Sequence, residues 1–285
     1  MVSDSVQNQQ QYRYLVGLPR GKQRVFLSWR LLPTDYQDAP FFVERRMGGE
    51  WQRVSPEPIC ETTNYLDETP ALGVCDFRVF AADGTPSETV SVDASAAASI
   101  LALDVPLNPD DVVQGIALGD LTNNGRIGYV LRAKRGETVW LIAYQHDGTA
   151  LWEMDTRLPA RGGWNGSMLH VPFLCWDVNG DGRTEVAFHS IKGKFRRERY
   201  DVGGADEYLT VVDGETGDPV WETAWPALKP RVMMTVGQLR GLDQPASLVV
   251  LDETYGPVTL TARDGKTSQV QWQVEQTRPA GHNLD

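Results

Sequence analysis

The chain has few cysteines, no excess of basic residues and no long apolar run, and each shortage excludes a class of protein. Three cysteines in 285 residues do not build a disulfide framework. The formal net charge of −11 disfavours nucleic acid as a partner, because phosphate binding needs a basic surface. No segment approaches the roughly 20 apolar residues of a membrane span, and residues 1–11 lack the apolar stretch of a signal peptide. We therefore expect neither a nucleic-acid nor a membrane partner.

The cysteines fall in two places in the sequence. Cys60 and Cys75 lie in the same N-terminal region, and a pairing between them stays open. Cys175 lies inside an apolar run, with no neighbour that would lower the pKa of its thiol. Cys175 is therefore predicted to be a buried thiol and not a nucleophile.

The N-terminal region, residues 12–92, has the pattern of a β-sandwich, because short apolar or alternating segments are separated by turn residues. Trp29 and Tyr65 are interpreted as core residues of this sandwich. Four of its segments resemble a fibronectin type III module: 27–30, 42–45, 63–67 and 77–80. Residues 93–113 follow as a linker, since their run of alanine and serine is too short to hold a core helix.

The C-terminal region, residues 114–285, contains a repeat of about one propeller-blade length. Each copy has two apolar strands joined by a loop, then a third strand ending near Asp-Gly, and then a tryptophan. The Asp-Gly pairs begin at Asp147, Asp213 and Asp264. Residues 280–285 resemble the first strand of a fourth blade. The sequence thus predicts an all-β protein whose sandwich is followed by an incomplete β-propeller of about three blades, in a truncated chain.

A calcium-type loop lies in the second copy of the repeat. It reads Asp177-x-Asn179-x-Asp181-Gly182-x-x-Glu185, with Arg183 also in the predicted ligand set. Oxygen side chains at alternate positions followed by a glycine suit a hard cation that takes six to eight oxygens. The corresponding loop 120–128 ends in glycine, which predicts a weak site, and loop 237–246 predicts none. The alternative for loop 177–185 is an Asx-type turn without an ion.

Up-and-down strands would collect chemically active side chains at the rim opposite this metal loop. The start of the first strand, the end of the second and the start of the third all meet there. The predicted rim residues are His170, His189, Tyr208, Arg231, Tyr255, His282, Arg132, Lys134 and the basic loop 191–207 that includes Lys192. Trp164 and Asn165 precede the first strand on this rim and are candidates for sugar contact. A single histidine at a strand end is more often structural, so an active site at this rim requires several such groups to meet.

These side-chain types suit β-elimination across a uronic acid. Arg231 would hold the carboxylate by bidentate hydrogen bonds, and either His189 or His170 would remove the proton at C5. Either Tyr255 or Tyr208 would donate a proton to the leaving oxygen. Trp164, Asn165, Lys192 and His282 would contact the substrate. Hydrolysis by paired carboxylates fits less well, because most acids occupy loop and turn positions.

Five segments of the chain resemble the propeller-type polysaccharide lyases: 25–32, 63–67, 177–185, 207–217 and 281–285. A fibronectin-like segment before calcium-loop blades resembles the rhamnogalacturonan lyases of polysaccharide lyase family 11. The histidines that flank the loop resemble those of the propeller ulvan lyases. The resemblance implies cleavage beside a uronic acid linked to rhamnose, with calcium in a structural role.

The resemblance also sets expectations for partners and location. The substrate would be an acidic polysaccharide, and the intact protein is expected to be a monomer that is secreted or periplasmic. Two alternatives remain open at this point. One is a non-catalytic calcium-binding propeller for carbohydrate recognition or adhesion, and the other is a remnant without a function of its own.

Overall fold

The computed structural model describes residues 12–32, 34–68, 72–81, 84–97, 103–160, 172–192, 206–226, 232–252 and 258–276. Every regular element in these residues is a β-strand, which confirms the predicted all-β class. The described residues accordingly contain no helix that could span a membrane. The chain divides into two compact units, with the boundary between Ala102 and Leu103.

The first unit contains two antiparallel sheets that share one core. The seven strands are β1 (Val16–Pro19), β2 (Val25–Ser28), β3 (Phe42–Arg46), β4 (Gln52–Arg53), β5 (Asn64–Asp67), β6 (Val74–Phe80) and β7 (Val90–Asp93). Their orders are β1-β2-β5 and β4-β3-β6-β7. Alternate residues of β6 are buried because side chains alternate across a strand. Trp29 is buried and Tyr65 packs against the same core, which agrees with their interpretation as core residues.

The second unit contains three four-stranded sheets, here called sheets I, II and III. Sheet I has β8 (Val112–Gly119), β9 (Gly128–Arg135), β10 (Thr138–Tyr144) and β11 (Ala150–Pro159). Sheet II has β12 (Phe173–Trp176), β13 (Glu185–Ile191), β14 (Glu207–Asp213) and β15 (Pro219–Ala224). Sheet III has β16 (Val232–Gly237), β17 (Ser247–Asp252), β18 (Val258–Asp264) and β19 (Val270–Gln276). In each sheet the strands follow one another in chain order and pair antiparallel.

The three sheets share one register, so their positions can be compared directly. The last residue of each first strand pairs with the first residue of the second strand: Gly119 with Gly128, Trp176 with Glu185, and Gly237 with Ser247. Counting from these pairs, the position of His189 on β13 corresponds to Arg132 on β9 and Leu251 on β17. Residues at equivalent positions are therefore expected to have the same structural surroundings in each of the three sheets.

Apolar cores fill the spaces between consecutive sheets. Val186 and Phe188 of β13 pack with Val130 and Leu141 of sheet I, whereas Ala187 packs with Leu248 of sheet III. Neighbouring residues of β13 therefore face different sheets, as the two-residue period of a strand requires. This run is apolar on both faces because sheet II is covered on both sides.

The cysteines behave as isolated thiols. Cys60 is exposed, Cys75 is buried, and neither is in a disulfide, so the pairing left open by the sequence does not form. Cys175 is buried between sheets I and II, and burial raises the pKa of its thiol to about 12. A thiol with this pKa is protonated at neutral pH, which agrees with its prediction as a non-nucleophile.

The second half of the predicted linker, residues 103–111, packs against sheet I. Val105 contacts the cluster formed by Leu131 and Tyr144, and the Tyr144 hydroxyl donates to the carbonyl of Pro106. The Asp111 carboxylate is fully buried and accepts from Arg135 Nε at 2.7 Å. Short-range composition missed this packing because the partners of the segment lie on β9 and β10.

Replacing Asp111 with asparagine should remove part of the acid sensitivity of the fold. The hydrogen bonds from Arg135 hold the pKa of Asp111 below its ordinary value. A depressed folded pKa contributes stability above the unfolded pKa of about 3.9, and this stability is lost as the pH falls through the folded pKa. We expect Asp111→Asn to lower the free energy of unfolding by about 1–3 kcal/mol at pH 7, measured by urea unfolding.

The difference in free energy of unfolding between wild type and Asp111→Asn should shrink below about pH 3.9, where the wild-type carboxyl begins to be protonated. Asp110→Asn, at the exposed neighbouring carboxylate, is the matched control and should change stability little at either pH. An Asp111→Asn difference as large at pH 3 as at pH 7 would contradict the ion-pair explanation.

Candidate active site and metal loop

The loop between β12 and β13 brings three carboxylates together. One ligand oxygen from each of Asp177, Asp181 and Glu185 lies within 4.8 Å of the others. Asp177 organises the loop, because its carboxylate accepts from the amides of Gly180 and Gly182 at 2.7 and 2.9 Å. Both glycines have positive φ angles, 77° and 86°, which residues with a side chain adopt at a cost. The predicted order of residues thus forms a compact acidic turn.

Glu185 is the buried member of this group, with 1% of its surface exposed. One carboxylate oxygen accepts from the amide of Val178 at 2.9 Å, and the other accepts from Asn179 Nδ2 at 2.9 Å. Burial, with the nearby charges of Asp181 and Asp177, raises the pKa of Glu185 to about 7. Three neighbouring carboxylates, each offering hard oxygen atoms, form a donor set that suits a divalent cation.

Arg183 cannot ligate a cation through its side chain. Its guanidinium extends to the following turn, where NH2 lies 3.1 Å from Asp213 and 3.1 Å from Glu215. A carbonyl oxygen is therefore the only ligand atom that Arg183 can offer. The prediction that Arg183 binds the ion can therefore apply only to its backbone carbonyl oxygen.

The corresponding loops of sheets I and III lack the acidic group. Asp120 accepts from the amides of Asn124 and Gly125, as Asp177 does in its own loop. Gly128 and Ser247 occupy the position of Glu185. Within the part of the chain that the structure describes, residues 177, 181 and 185 form the single group of acids close enough to share an ion.

His189 lies buried near the other end of β13. Its Nε2 is 3.0 Å from Oε2 of Glu207, and each of the two side chains is only 6% exposed. The imidazole stacks on the ring of Trp225, with ring centroids 4.0 Å apart and an interplanar angle of 7°. Glu207 therefore orients a ring nitrogen of this imidazole, and Trp225 holds the ring plane.

Glu207 and Trp225 are the residues of this site whose roles the sequence did not reveal. Glu207 begins β14 and pairs with Ile191 of β13. Its carbonyl also accepts from the amide of Trp225 at 2.9 Å. A buried acid one strand away from a buried histidine is a signal that only strand register can supply.

Tyr208 and His189 lie on opposite faces of sheet II. Tyr208 pairs directly with Ser190, whereas His189 pairs with Leu209, and directly paired residues share a face. The Tyr208 ring lies 4.9 Å from Nζ of Lys192, which in turn bonds to Glu222. The structure thus joins Tyr208 to Lys192 and not to His189, so these two cannot act as one acid–base pair across the same face.

Arg132 occupies the position on sheet I that His189 occupies on sheet II. It is 6% exposed, lies 5.3 Å from the centroid of the Phe173 ring and donates to the carbonyl of Gln114 at 3.3 Å. A Cβ on Gly115 would lie 3.1 Å from the guanidinium, so the glycine makes room for it on the first strand. Burial lowers the pKa of Arg132 from its ordinary value.

The remaining predicted site residues lie outside the described residues. These are His170, Trp164, Asn165, Arg231, Tyr255 and His282. Glu185 and His189 are four residues apart on β13, about 13 Å along an extended strand. The candidate metal loop and the buried histidine are therefore at different ends of the same strand, as the up-and-down arrangement predicted.

Two curated proteins of Bacillus subtilis (strain 168) are similar to this chain in sequence. The rhamnogalacturonan exolyase YesX is 27% identical over 92% of the chain, and the rhamnogalacturonan endolyase YesW is 26% identical over 89%. The matches cover 49% and 47% of those proteins, so the chain spans about half the length of the curated relatives it matches. No family model matches the chain.

Two solved structures have the same fold over most of the chain. The crystal structures of YesX and YesW match 94% of this chain with TM-scores of 0.63 and 0.64, at 23% and 22% identity. They are covered over 51% and 52% of their own chains. Neither protein is an ulvan lyase, so the likeness to that second group stays a prediction. The chain is thus homologous to the rhamnogalacturonan lyases YesX and YesW over about nine-tenths of its length, which confirms the resemblance predicted from its sequence.

Proposed function

We propose that this chain is part of a polysaccharide lyase that cleaves rhamnogalacturonan by β-elimination beside a uronic acid. The similarity to two rhamnogalacturonan lyases over 92% and 89% of the chain carries this proposal. Because the chain spans half of each relative, the activity belongs to the protein that contains these 285 residues. That protein acts as a monomer on an acidic polysaccharide, outside the cell or in the periplasm.

The proposed layout is a fibronectin type III-like sandwich at residues 12–92, a linker at 93–113 and a partial propeller at 114–285. Two sheets around one core support the sandwich. Three consecutive antiparallel four-stranded sheets, whose first strands contact one another, support propeller blades. In this layout the second half of the linker covers the outer face of the first blade.

The proposed reaction needs a base, an acid and a group that holds the uronate carboxylate. The base takes the proton at C5, the C4=C5 double bond forms, and O4 leaves with a proton from the acid. His189 or His170 is the proposed base and Arg231 the carboxylate clamp. Tyr255 is the tyrosine assigned to His189, because Tyr208 belongs to the opposite face of sheet II.

The contacts of His189 support its assignment as the base. Glu207, 3.0 Å from Nε2, favours the tautomer that carries its proton on that nitrogen, which leaves Nδ1 as the basic nitrogen. Stacking on Trp225 holds the imidazole plane. A base held in one tautomer and one orientation loses little freedom when it reacts.

Calcium is the proposed ion of loop 177–185, in a structural role. Side-chain oxygens of Asp177, Asn179, Asp181 and Glu185, with the carbonyl of Arg183, would hold it. The ion would neutralise the grouped carboxylates and stiffen the turn between β12 and β13. The loop lies at the other end of β13 from His189, which supports a structural and not a catalytic role.

The lyase proposal is tested with the longest form of the protein that its gene encodes. Incubation with rhamnogalacturonan should produce the ultraviolet absorbance of an unsaturated uronate. Homogalacturonan, which lacks rhamnose, is the control substrate and should give little signal, and ulvan tests the second predicted polymer. A purified, folded protein that produces no absorbance on rhamnogalacturonan would contradict the proposal.

A further inference from the structure

The four-stranded sheet of the first unit, β4-β3-β6-β7, carries on one face three arginines that lie over aromatic rings. The residues are Arg46, Arg53 and Arg78 with Phe42, Trp51 and Phe80. Cζ of Arg53 lies 3.9 Å from the centroid of the Phe42 ring, and Cζ of Arg78 lies 4.2 Å from that of Trp51. A guanidinium that lies over a ring can still donate hydrogen bonds from its edge. We call this set the arginine–aromatic face.

Strand register places these side chains on the side of the sheet away from the core. Glu44 of β3 pairs with Arg53 of β4 and with Arg78 of β6, and directly paired residues share a face. The alternate residues Val43 and Val79 are buried in the core of the first unit, so the arginines lie on the opposite side. Neighbouring strands are about 4.8 Å apart, which puts the backbones of Arg53 and Arg78 about 10 Å apart across the sheet.

Two of the three arginines are paired with carboxylates but keep unused donors. Oε2 of Glu44 accepts from Nε and Nη2 of Arg78, at 3.0 and 2.8 Å. Oδ2 of Asp76 accepts from Nε and Nη2 of Arg46, at 3.2 and 2.8 Å. In both arginines the second terminal nitrogen, Nη1, has no hydrogen-bond acceptor among the described residues. The side chains of Arg46 and Arg78 are 38% and 24% exposed, so neither is closed off from solvent.

Arg53 is the arginine of this face that has no carboxylate beside it. It is exposed, and its guanidinium forms neither a hydrogen bond nor an ion pair with any residue that the structure describes. The face therefore has three positive side chains and two negative ones, Glu44 and Asp76, in a chain whose net charge is −11. This local positive excess suits an anionic ligand, which Arg53 can bind through two parallel hydrogen bonds.

We propose that the arginine–aromatic face binds a uronate-containing polysaccharide, with a sugar carboxylate on the Arg53 guanidinium. The unpaired guanidinium favours an anion, and the rings beside the arginines offer apolar surface to the C–H face of a sugar. The separation of about 10 Å between Arg53 and Arg78 favours a polymer with several charges over a single small ion. The ligand class is that of the proposed substrate, so this inference rests on the proposed function. It adds a binding surface in the first unit, apart from the candidate active site of the second.

The indole N–H of Trp51 reports on this face alone, because Arg46 and Arg78 both lie over its ring. Rhamnogalacturonan oligosaccharides are titrated into the 285-residue chain that carries His189→Gln to prevent cleavage. The nuclear magnetic resonance signal of the Trp51 indole, assigned by its loss in Trp51→Phe, should shift and saturate. Arg53→Gln should raise the Kd from this signal about tenfold, the factor for losing a charge-assisted hydrogen bond.

Two controls separate a uronate surface from general attraction between charges. Arg20 is also exposed and lies over an aromatic ring, that of Phe26 on β2 of the other sheet, at 5.2 Å. Arg20→Gln changes the net charge as much as Arg53→Gln does, and it should leave the Kd within about twofold. Oligosaccharides whose carboxyl groups have been reduced to alcohols, and polyglutamate of equal charge, should each bind at least about tenfold more weakly than the uronate oligosaccharides.

Three results would overturn the proposal: a Trp51 signal that does not move, equal effects of Arg53→Gln and Arg20→Gln, or equal binding of the carboxyl-reduced sugar or of polyglutamate. These results are independent of the absorbance assay for the lyase. Binding that depends on Arg53 in a protein that produces no unsaturated uronate would contradict the lyase function alone. Absorbance without such binding would contradict only the arginine–aromatic face as a binding surface.

Discussion

Replacing His189 with glutamine should lower the rate of uronate elimination by about 10²–10⁴-fold, the usual contribution of a general base. Glutamine keeps a side-chain donor within reach of Glu207, whose carboxylate lies 3.0 Å from the imidazole, so the buried acid keeps a partner. Initial rates of absorbance increase on rhamnogalacturonan measure the effect. Thermal unfolding of the same samples shows whether the variant is folded.

His146→Gln is the matched control for this substitution. His146 lies in the turn between β10 and β11 of sheet I, where its Nε2 is 2.8 Å from the Arg126 guanidinium. It belongs to no part of the proposed site, and the variant should keep the wild-type rate. A folded His189→Gln protein with a rate within about tenfold of wild type would exclude His189 as the base. His170 would then be the histidine to test.

The same pair of variants separates catalysis from architecture. His189 is stacked on Trp225 between sheets II and III. If its role were only structural, His189→Gln would lower the stability of the protein and leave the rate of the folded molecules unchanged. A base would lower the rate even in molecules that remain folded. If elimination and sugar affinity both survived substitution of His189 and His170, a non-catalytic carbohydrate-binding protein would be the better explanation.

Calcium should stabilise the protein, and Glu185→Gln should remove most of that effect. A ligand that binds only the folded state adds about 2.7 kcal/mol at one hundred times its Kd, which for a protein of this size is a rise in Tm of several degrees. The site depends on Glu185, since its carboxylate lies with those of Asp177 and Asp181 within 4.8 Å. Differential scanning calorimetry with calcium and with a chelator measures the shift.

Asp243→Asn is the control for the metal prediction. Asp243 is an exposed acid in the loop of sheet III, where Ser247 replaces the buried glutamate, and its loss should leave the calcium shift intact. Asp181→Asn should act in the same direction as Glu185→Gln. A wild-type protein with no calcium shift, or a full shift in Glu185→Gln, would favour the alternative of an Asx-type turn without an ion.

The site was predictable where it depended on local patterns. The spacing of Asp177, Asp181 and Glu185 predicted one acidic turn, because the ligands of such a loop lie close together in the sequence. The alternation of strands predicted that His189 would lie away from that turn. The contact between His189 and Glu207 was not predictable, since it joins residues 18 apart through the register of two strands.

The two candidate tyrosines also show that the sequence did not determine the register between strands. Tyr208 and Glu207 are adjacent in sequence, yet only one of them shares a face with His189. A one-residue change in register exchanges the two faces of a strand, and the long connection between β13 and β14 left that register undetermined. Similarly, the packing of residues 103–111 on sheet I depends on Tyr144 and Arg135, more than twenty residues away.

The sequence by itself determined the all-β class, the repeat of three four-stranded segments, the acidic loop and the likeness to rhamnogalacturonan lyases. Periodicity, turn residues and ligand spacing are local properties, and a short stretch of chain expresses them fully. Only the tertiary structure decided that Glu207 and Trp225 contact His189 and that Tyr208 lies on the opposite face of the sheet. It also decided that the indoles of Trp152 and Trp221 donate hydrogen bonds to backbone carbonyls of the next sheet. Each of these depends on which strand pairs with which and in what register, and register is set by burial summed over whole sheets.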